Sequence, residues 1–198
     1  MLCTLAQLKA RLGIGDEDSD TLLTQIITGV SGQLQGEGGC GRTLSLESDI
    51  VEYKTIREPR AASIWLSRYP VVSISEIKEA TYNDFDDADA LTADDDFQFD
   101  PDSGEVHKTG WWLRGFRTAK ITYTGGYVLP GDVAGDGETE LPDDIVEAAI
   151  EQASFAYQRR DTLGVSAQSA QGGSVTAYAQ DKLLPGVRTT MRRYRRML

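Results

Sequence analysis

The sequence is poor in the residues that build reactive sites. Its 198 residues include two cysteines and one histidine. Cys3 and Cys40 are too few for a disulfide framework and fit no zinc spacing. Reduced, structural thiols follow, because free cysteine usually behaves as a small buried hydrophobe. His107 lies far from both cysteines and close to Trp111 and Trp112, with no acid-base partner at motif spacing. No catalytic set, metal site or cofactor is therefore expected. No apolar run approaches the roughly 18 residues that span a bilayer, so no membrane partner is expected. The opening Met1-Leu2-Cys3-Thr4-Leu5 lacks a basic stretch followed by an apolar one, so no signal peptide is expected. The protein is expected to be made in a cytoplasm and kept there until it is assembled into something.

Positive charge is also scarce. The net charge is −11, and it is uneven. The last eleven residues hold Arg188, Arg192, Arg193, Arg195 and Arg196 and no acid. The remaining 15 basic and 31 acidic residues give a body of −16. Phosphate binding needs clustered Lys and Arg, so the body is no nucleic-acid groove. It suits a surface that DNA passes without sticking. The basic tail suits an acidic partner.

What is present is enough for one compact core, since 40% of the residues are hydrophobic. Residues 5–12 read as a short helix stopped by Gly13 and Gly15. Asp18 and Ser19 offer N-caps for a second, over 19–35, in which Leu22, Ile26, Val30 and Leu34 recur every four residues, flanked by Leu23 and Ile27. Residues 50–56 alternate as a half-buried strand would, and 63–66, 71–80 and 120–124 also read as strands. Residues 97–99 and 105–108 flank an Asp100-Pro101-Asp102-Ser103-Gly104 turn and read as a hairpin. Between these lies an acidic loop holding Asp84, Asp86, Asp87, Asp89, Asp94, Asp95 and Asp96. A Gly- and acid-rich loop over 129–140 precedes a helix over 142–160, with Pro142, Asp143 and Asp144 in its first turn. Residues 164–181 are rich in Ser, Ala, Gln and Gly and read as a flexible arm. A last amphipathic helix follows Pro185. Helices segregated from a run of strands give an α+β fold: a small helical part packed on a mostly antiparallel β part, with an extended C-terminal arm and terminal helix.

Two motifs carry less than they spell. Gly36-Glu37-Gly38-Gly39-Cys40-Gly41 has the G-x-G-x-x-G spacing. A dinucleotide fingerprint must follow a strand and open a helix, whereas this one closes a helix and carries an acid. A helix C-cap and turn is the better account. The acidic loop lacks the glycine and glutamate that a calcium loop requires. Its aspartates are read as solvated, or as facing a channel or a neighbouring subunit.

Three strings in this order resemble the head-tail connector family of long-tailed bacteriophages: Gly39-Cys40-Gly41-Arg42-Thr43-Leu44, Leu66-Ser67-Arg68-Tyr69-Pro70-Val71-Val72-Ser73-Ile74, and Ile121-Thr122-Tyr123-Thr124-Gly125-Gly126-Tyr127, the last followed by Leu141-Pro142-Asp143-Asp144-Ile145 and an Ala-rich helix ending in Arg159-Arg160. The resemblance covers roughly residues 5–165. It implies a connector domain over 1–163 and an arm with a basic helix over 164–198. It further implies a non-enzymatic virion protein of the neck, forming a ring, usually of twelve subunits, beneath the portal, extending the DNA channel and docking the next neck or tail-completion protein. The lengths of the loops around 84–96 and 131–137 depart from the family pattern.

In that setting the terminal helix is expected to dock on the portal. Val187, Met191, Tyr194 and Leu198 share one helical face, and Arg188, Arg192 and Arg195 form the adjacent stripe. The alternative is a helix folded back on its own acidic body. Phe155 lies nine residues after Val146, on the opposite side of its helix. It is expected either in a helix buried on two faces or at the subunit interface, and Trp111 and Trp112 are read either as core or as part of that interface. The competing functions are a neck or tail-completion protein one layer lower, and a DNA-binding regulator using the arginine helix.

Overall fold

A computed structural model describes residues 1–81, 84–160 and 183–195, together with the backbone of 167–169 and 175–177. The chain divides into two compact units. Met1–Arg42 and Leu141–Leu198 form one, and Thr43–Glu140 forms the other. The fold is α+β, as the patterning predicts.

The first unit is helical. Helix α1 (Leu5–Leu12) opens on a capping box, in which the Thr4 hydroxyl accepts from the Gln7 N–H and the Gln7 side chain accepts from the Thr4 N–H. Gly13, at φ 70°, closes it in the left-handed conformation that glycine adopts without penalty. Helix α2 (Asp20–Gln35) buries Leu23, Ile27, Val30 and Leu34. The expected row at every fourth residue is shifted, and Leu22 is exposed. Steps of four overshoot a 3.6-residue turn, so a strict row drifts around the helix. Helix α3 (Asp143–Gln158) packs against α1, α2 and helix α4 (Pro185–Arg193). It is buried nearly all round, through residues such as Ile145, Val146, Ala149 and Ala153. The arm read from Gly164 to Asp181 lies outside the described residues, apart from the backbone of Ala167–Ser169 and Val175–Ala177, which pair antiparallel.

The second unit is built of strands. These are β1 (Glu47–Ile56), β2 (Ser63–Trp65), β3 (Val71–Glu79), β4 (Phe97–Asp100), β5 (Glu105–Lys108), β6 (Gly115–Gly125), β7 (Tyr127–Val128) and β8 (Thr139–Glu140). Two antiparallel sheets form, in the orders β1-β6-β3 and β2-β5-β4. The short pair β7 and β8 is parallel. Ile64, Leu66, Phe97 and Val106 from one sheet and its flanks meet Ile56, Ile77, Ile121 and Tyr123 from the other in a shared core. Strand β6 is the middle strand of its sheet. Ile56 and Glu79 lie beside its start, and Glu47 and Val71 beside its end.

Edge strand β1 points two charges inward, a device that disfavours pairing with a foreign strand. The Glu52 carboxylate accepts from the Ser67 N–H at 3.0 Å and the Tyr123 hydroxyl at 2.9 Å, and it also holds the Ser67 hydroxyl and the Lys54 ammonium. Burial pushes this carboxyl up, but the Lys54 charge and the bonds from Lys54 and Ser67 outweigh it, and the net shift is downward. A depressed carboxyl stabilises the fold above its unfolded pKa, and that contribution is lost as the pH falls through the folded value. Glu52→Gln is therefore expected to destabilise the chain by about 1–3 kcal/mol near neutral pH. The gap between variant and wild type should narrow below the ordinary glutamate range. Urea denaturation across pH checks this, and a gap that widens in acid contradicts it.

Candidate assembly surfaces

Helix α4 presents two unlike faces. Pro185 sits at its first turn, where the missing N–H is not needed. Val187 and Met191 are fully buried. The Gln152 side chain on α3 accepts from the Leu184 N–H at 3.0 Å. The Tyr194 hydroxyl donates to Asp144 at 2.6 Å, and Arg193 approaches the same carboxylate at 3.7 Å. Arg42 donates to the Tyr194 carbonyl at 3.2 Å. The expectation that Val187 and Met191 enter a partner's groove is thus corrected: the helical unit itself covers that face, because α3 offers an apolar seat close at hand. Arg192, Arg193 and Arg195 remain exposed, and Arg188 and Tyr194 are half-buried. Leu198 lies outside the described residues.

Phe155 is half-buried, with the Arg159 guanidinium 5.1 Å from its ring centre. Its helix is buried on more than one face, the first of the two situations its position allows. The two tryptophans separate. Trp112 is 3% exposed and sits in the β-unit core, its indole N–H donating to the Ala62 carbonyl at 2.9 Å. It is a core residue, which corrects its assignment to a subunit interface. Trp111 beside it is 59% exposed.

The acidic loop is seated on the β unit. The Leu91 N–H donates to the Ile77 carbonyl, and Ala90 bridges to Lys78, so the segment covers the outer edge of β3. Phe85 is buried, its ring 5.6 Å from that of Tyr53. Asp84, Asp86, Asp87, Asp89, Asp94 and Asp95 are exposed, whereas Asp96 is half-buried and accepts from the Thr92 N–H. The two apolar side chains that anchor this loop, Phe85 and Leu91, stand among the aspartates and are the signal that a reading of charge alone overlooks.

Charge divides with the units. Thr43–Glu140 holds 20 acidic and 9 basic residues, a net of −11, while the helical unit balances at 11 of each. The whole excess of negative charge therefore belongs to the β unit.

The glycine-rich segment after α2 is a helix end. The Cys40 N–H donates to the Leu34 carbonyl and the Gly41 N–H to that of Gly36, with Gly41 at φ 68°. Cys3 and Cys40 are buried and free, and burial pushes the Cys3 thiol up to about 11. A thiol so placed is a poor nucleophile at neutral pH. Among the described residues no group of acids, cysteines and histidine could hold a metal ion. Among them also, no helix is long and apolar enough to cross a membrane.

Residues 3–106 match the family described as phage gp6-like head-tail connector protein. Among solved structures, the chain is similar to a chain from the neck of an empty gene transfer agent particle computed with C6 symmetry. The TM-score is 0.60 at 14% identity, covering all of this chain and 92% of the other. A chain from the virion of the native gene transfer agent particle gives 0.60 at 16% identity, with the same coverage. A chain from the neck of the native particle computed with C12 symmetry gives 0.53 at 14%, covering all of this chain and 91% of that one. At these identities the likeness establishes the fold. No curated protein matches the chain.

Proposed function

The chain belongs to the phage gp6-like head-tail connector family, and from that premise we propose that it is a structural subunit of a virion neck, closing with its copies into a ring between portal and tail. The observation that carries this reading is the family match over the first half of the chain. The full-length fold likeness to chains in necks computed with six- and twelve-fold symmetry supports a ring of identical subunits, with twelve as the expected number.

The mechanism is geometric and needs no catalytic group. Repeated subunits extend the DNA channel. The net −11 of the β unit lets DNA pass without sticking, since like charges repel and there are few cations to replace the counterions. The helical unit supplies the contact to the portal. With Val187 and Met191 covered, the docking set narrows to half-buried Arg188 and exposed Arg192 on α4 and exposed Arg195 just past its end, which meet acidic residues of the portal. The opposite end of the ring receives the next neck or tail-completion protein.

Electron microscopy of the chain mixed with the portal of the same genome tests both statements. Wild type is expected to add a ring of density beneath the portal, with matching rotational symmetry. Arg192→Glu with Arg195→Glu should keep the fold, since both side chains are exposed, and lower the fraction of portals carrying that ring at least tenfold. Portals that stay bare with wild type would move the protein to a lower layer of the neck. A charge-reversed chain that binds as well as wild type would remove α4 from the portal contact.

A further inference from the structure

We propose that the ring closes head to tail through the β unit: the Val133 loop of one subunit seats on the basic, aromatic end of β6 in a second copy. The contact presupposes the ring described above and specifies the surfaces that form it.

The two surfaces lie at opposite ends of the same strand. At the start of β6, Phe116 is 76% exposed and stands next to exposed Trp111, Leu113 and Arg114. The Arg117 guanidinium lies 4.1 Å from the centre of the Tyr53 ring. Residues 110–117 carry two arginines and no acid, in a unit with 20 acids and 9 bases. The connection from β1 to β2 reaches the same end, because Ile56 pairs with Gly115. It adds Arg57, Glu58 and Arg60 and an open groove of about 310 Å³ lined by Ile56, Glu58, Ile64 and Trp65 among others. With Arg57, Arg60, Arg114 and Arg117 against Glu58, this end is apolar and net cationic.

At the other end, β6 leads through Gly126 into β7 and the loop that returns along β8. Val133, at its tip, is 92% exposed. Residues 129–140 contain Asp132, Asp136, Glu138 and Glu140 and no basic residue. The loop is braced, since the Gly135 N–H donates to Glu138 at 2.8 Å and the β7–β8 pair holds its stem. It presents an exposed valine in a segment whose only charges are carboxylates, the complement of the surface at the other end.

Eleven residues at about 3.3 Å each separate the two ends of β6, on the order of 30 Å, so a subunit cannot satisfy itself. Neither surface pairs well with its own kind, because Arg114 would face Arg114 and Asp132 would face Asp132. What remains is a heterologous contact between copies, which leaves one surface of each kind free until the ring closes.

Cross-linking tests the contact directly. Phe116→Cys and Val133→Cys are made separately in the full chain, whose native cysteines are buried. Each is assembled with portal, alone and mixed with the other, and oxidised. Covalent dimers from the mixture and from neither variant alone are the expected result, as is a ladder of higher oligomers from the doubly substituted chain. No cross-link in the mixture, with the added ring visible in the microscope, overturns the head-to-tail contact and leaves the connector role standing. Dimers from one variant by itself would establish a contact between like surfaces and also overturn it. Failure of the wild-type chain to form a ring strikes at the connector role instead.

Discussion

Gly39→Ala is expected to lower the stability of the chain by more than about 4 kcal/mol, in the range reserved for changes that break a local structure. A Cβ at Gly39 would lie 1.9 Å from the Leu34 carbonyl oxygen and 2.9 Å from the Leu34 Cα. Those atoms are backbone, and the same carbonyl accepts the Cys40 N–H at 2.9 Å, closing α2. Relief requires the helix end to unwind, which exposes the neighbouring buried Leu34 and Cys40. Gly38 gives the control, because a Cβ there meets nothing within 4 Å. Gly38→Ala should change stability by no more than about 0.5 kcal/mol. Chemical denaturation of the two variants separates them. Equal, small effects at both positions would show that the turn is not held as described.

Trp112→Ala should destabilise by about 3–5 kcal/mol, the usual cost of emptying a large aromatic site in a core. Its ring packs in the cluster shared by the two sheets, and its N–H has a partner at 2.9 Å. Removing it opens a cavity and leaves the Ala62 carbonyl with the Lys108 N–H as its donor, so the cost is chiefly that of the lost packing. Trp111→Ala, one residue away, should shift stability by less than about 0.5 kcal/mol because the ring is exposed. If the ring contact proposed above forms, Trp111→Ala weakens assembly while sparing the monomer. Denaturation and sedimentation measured together distinguish the two tryptophans. The reverse order of stabilities would contradict the core described for the β unit.

These two pairs mark where the sequence was legible. Both concern neighbours of one type that local pattern treats alike. Gly38 and Gly39 belong to the same turn signal, and nothing in the string says which must lack a side chain. That depends on where the Leu34 carbonyl points after α2 ends. Trp111 and Trp112 differ only by which side of a strand entrance each faces. Strand β6 shows the same limit. Its alternating part, 120–124, reads plainly, but its first residues do not. Gly115 at φ 155° and Arg117 at φ 51° bend the backbone, and Phe116 points outward, so the period of two is broken where the strand begins.

Helix periodicity was readable because it is local. The turn at Gly36–Gly41, the start of α3 at Pro142, and the hairpin around Asp100–Gly104 each depend on residues a few positions apart, whose backbone preferences act before any tertiary contact forms. The sequence by itself therefore determined the α+β class, the helix positions and the asymmetry of charge. It also carried the family resemblance, through short strings that hold turns and helix starts. The tertiary structure alone decided what covers what. It buried Val187 and Met191 within the helical unit and left Arg192, Arg193 and Arg195 outside. It divided charge between a neutral unit and one of net −11. It set Trp112 inside and Trp111 outside, and carried Phe116 and Val133 to opposite ends of one strand. Those outcomes depend on pairings between residues tens of positions apart, and burial is a property of such pairings, which no local period encodes.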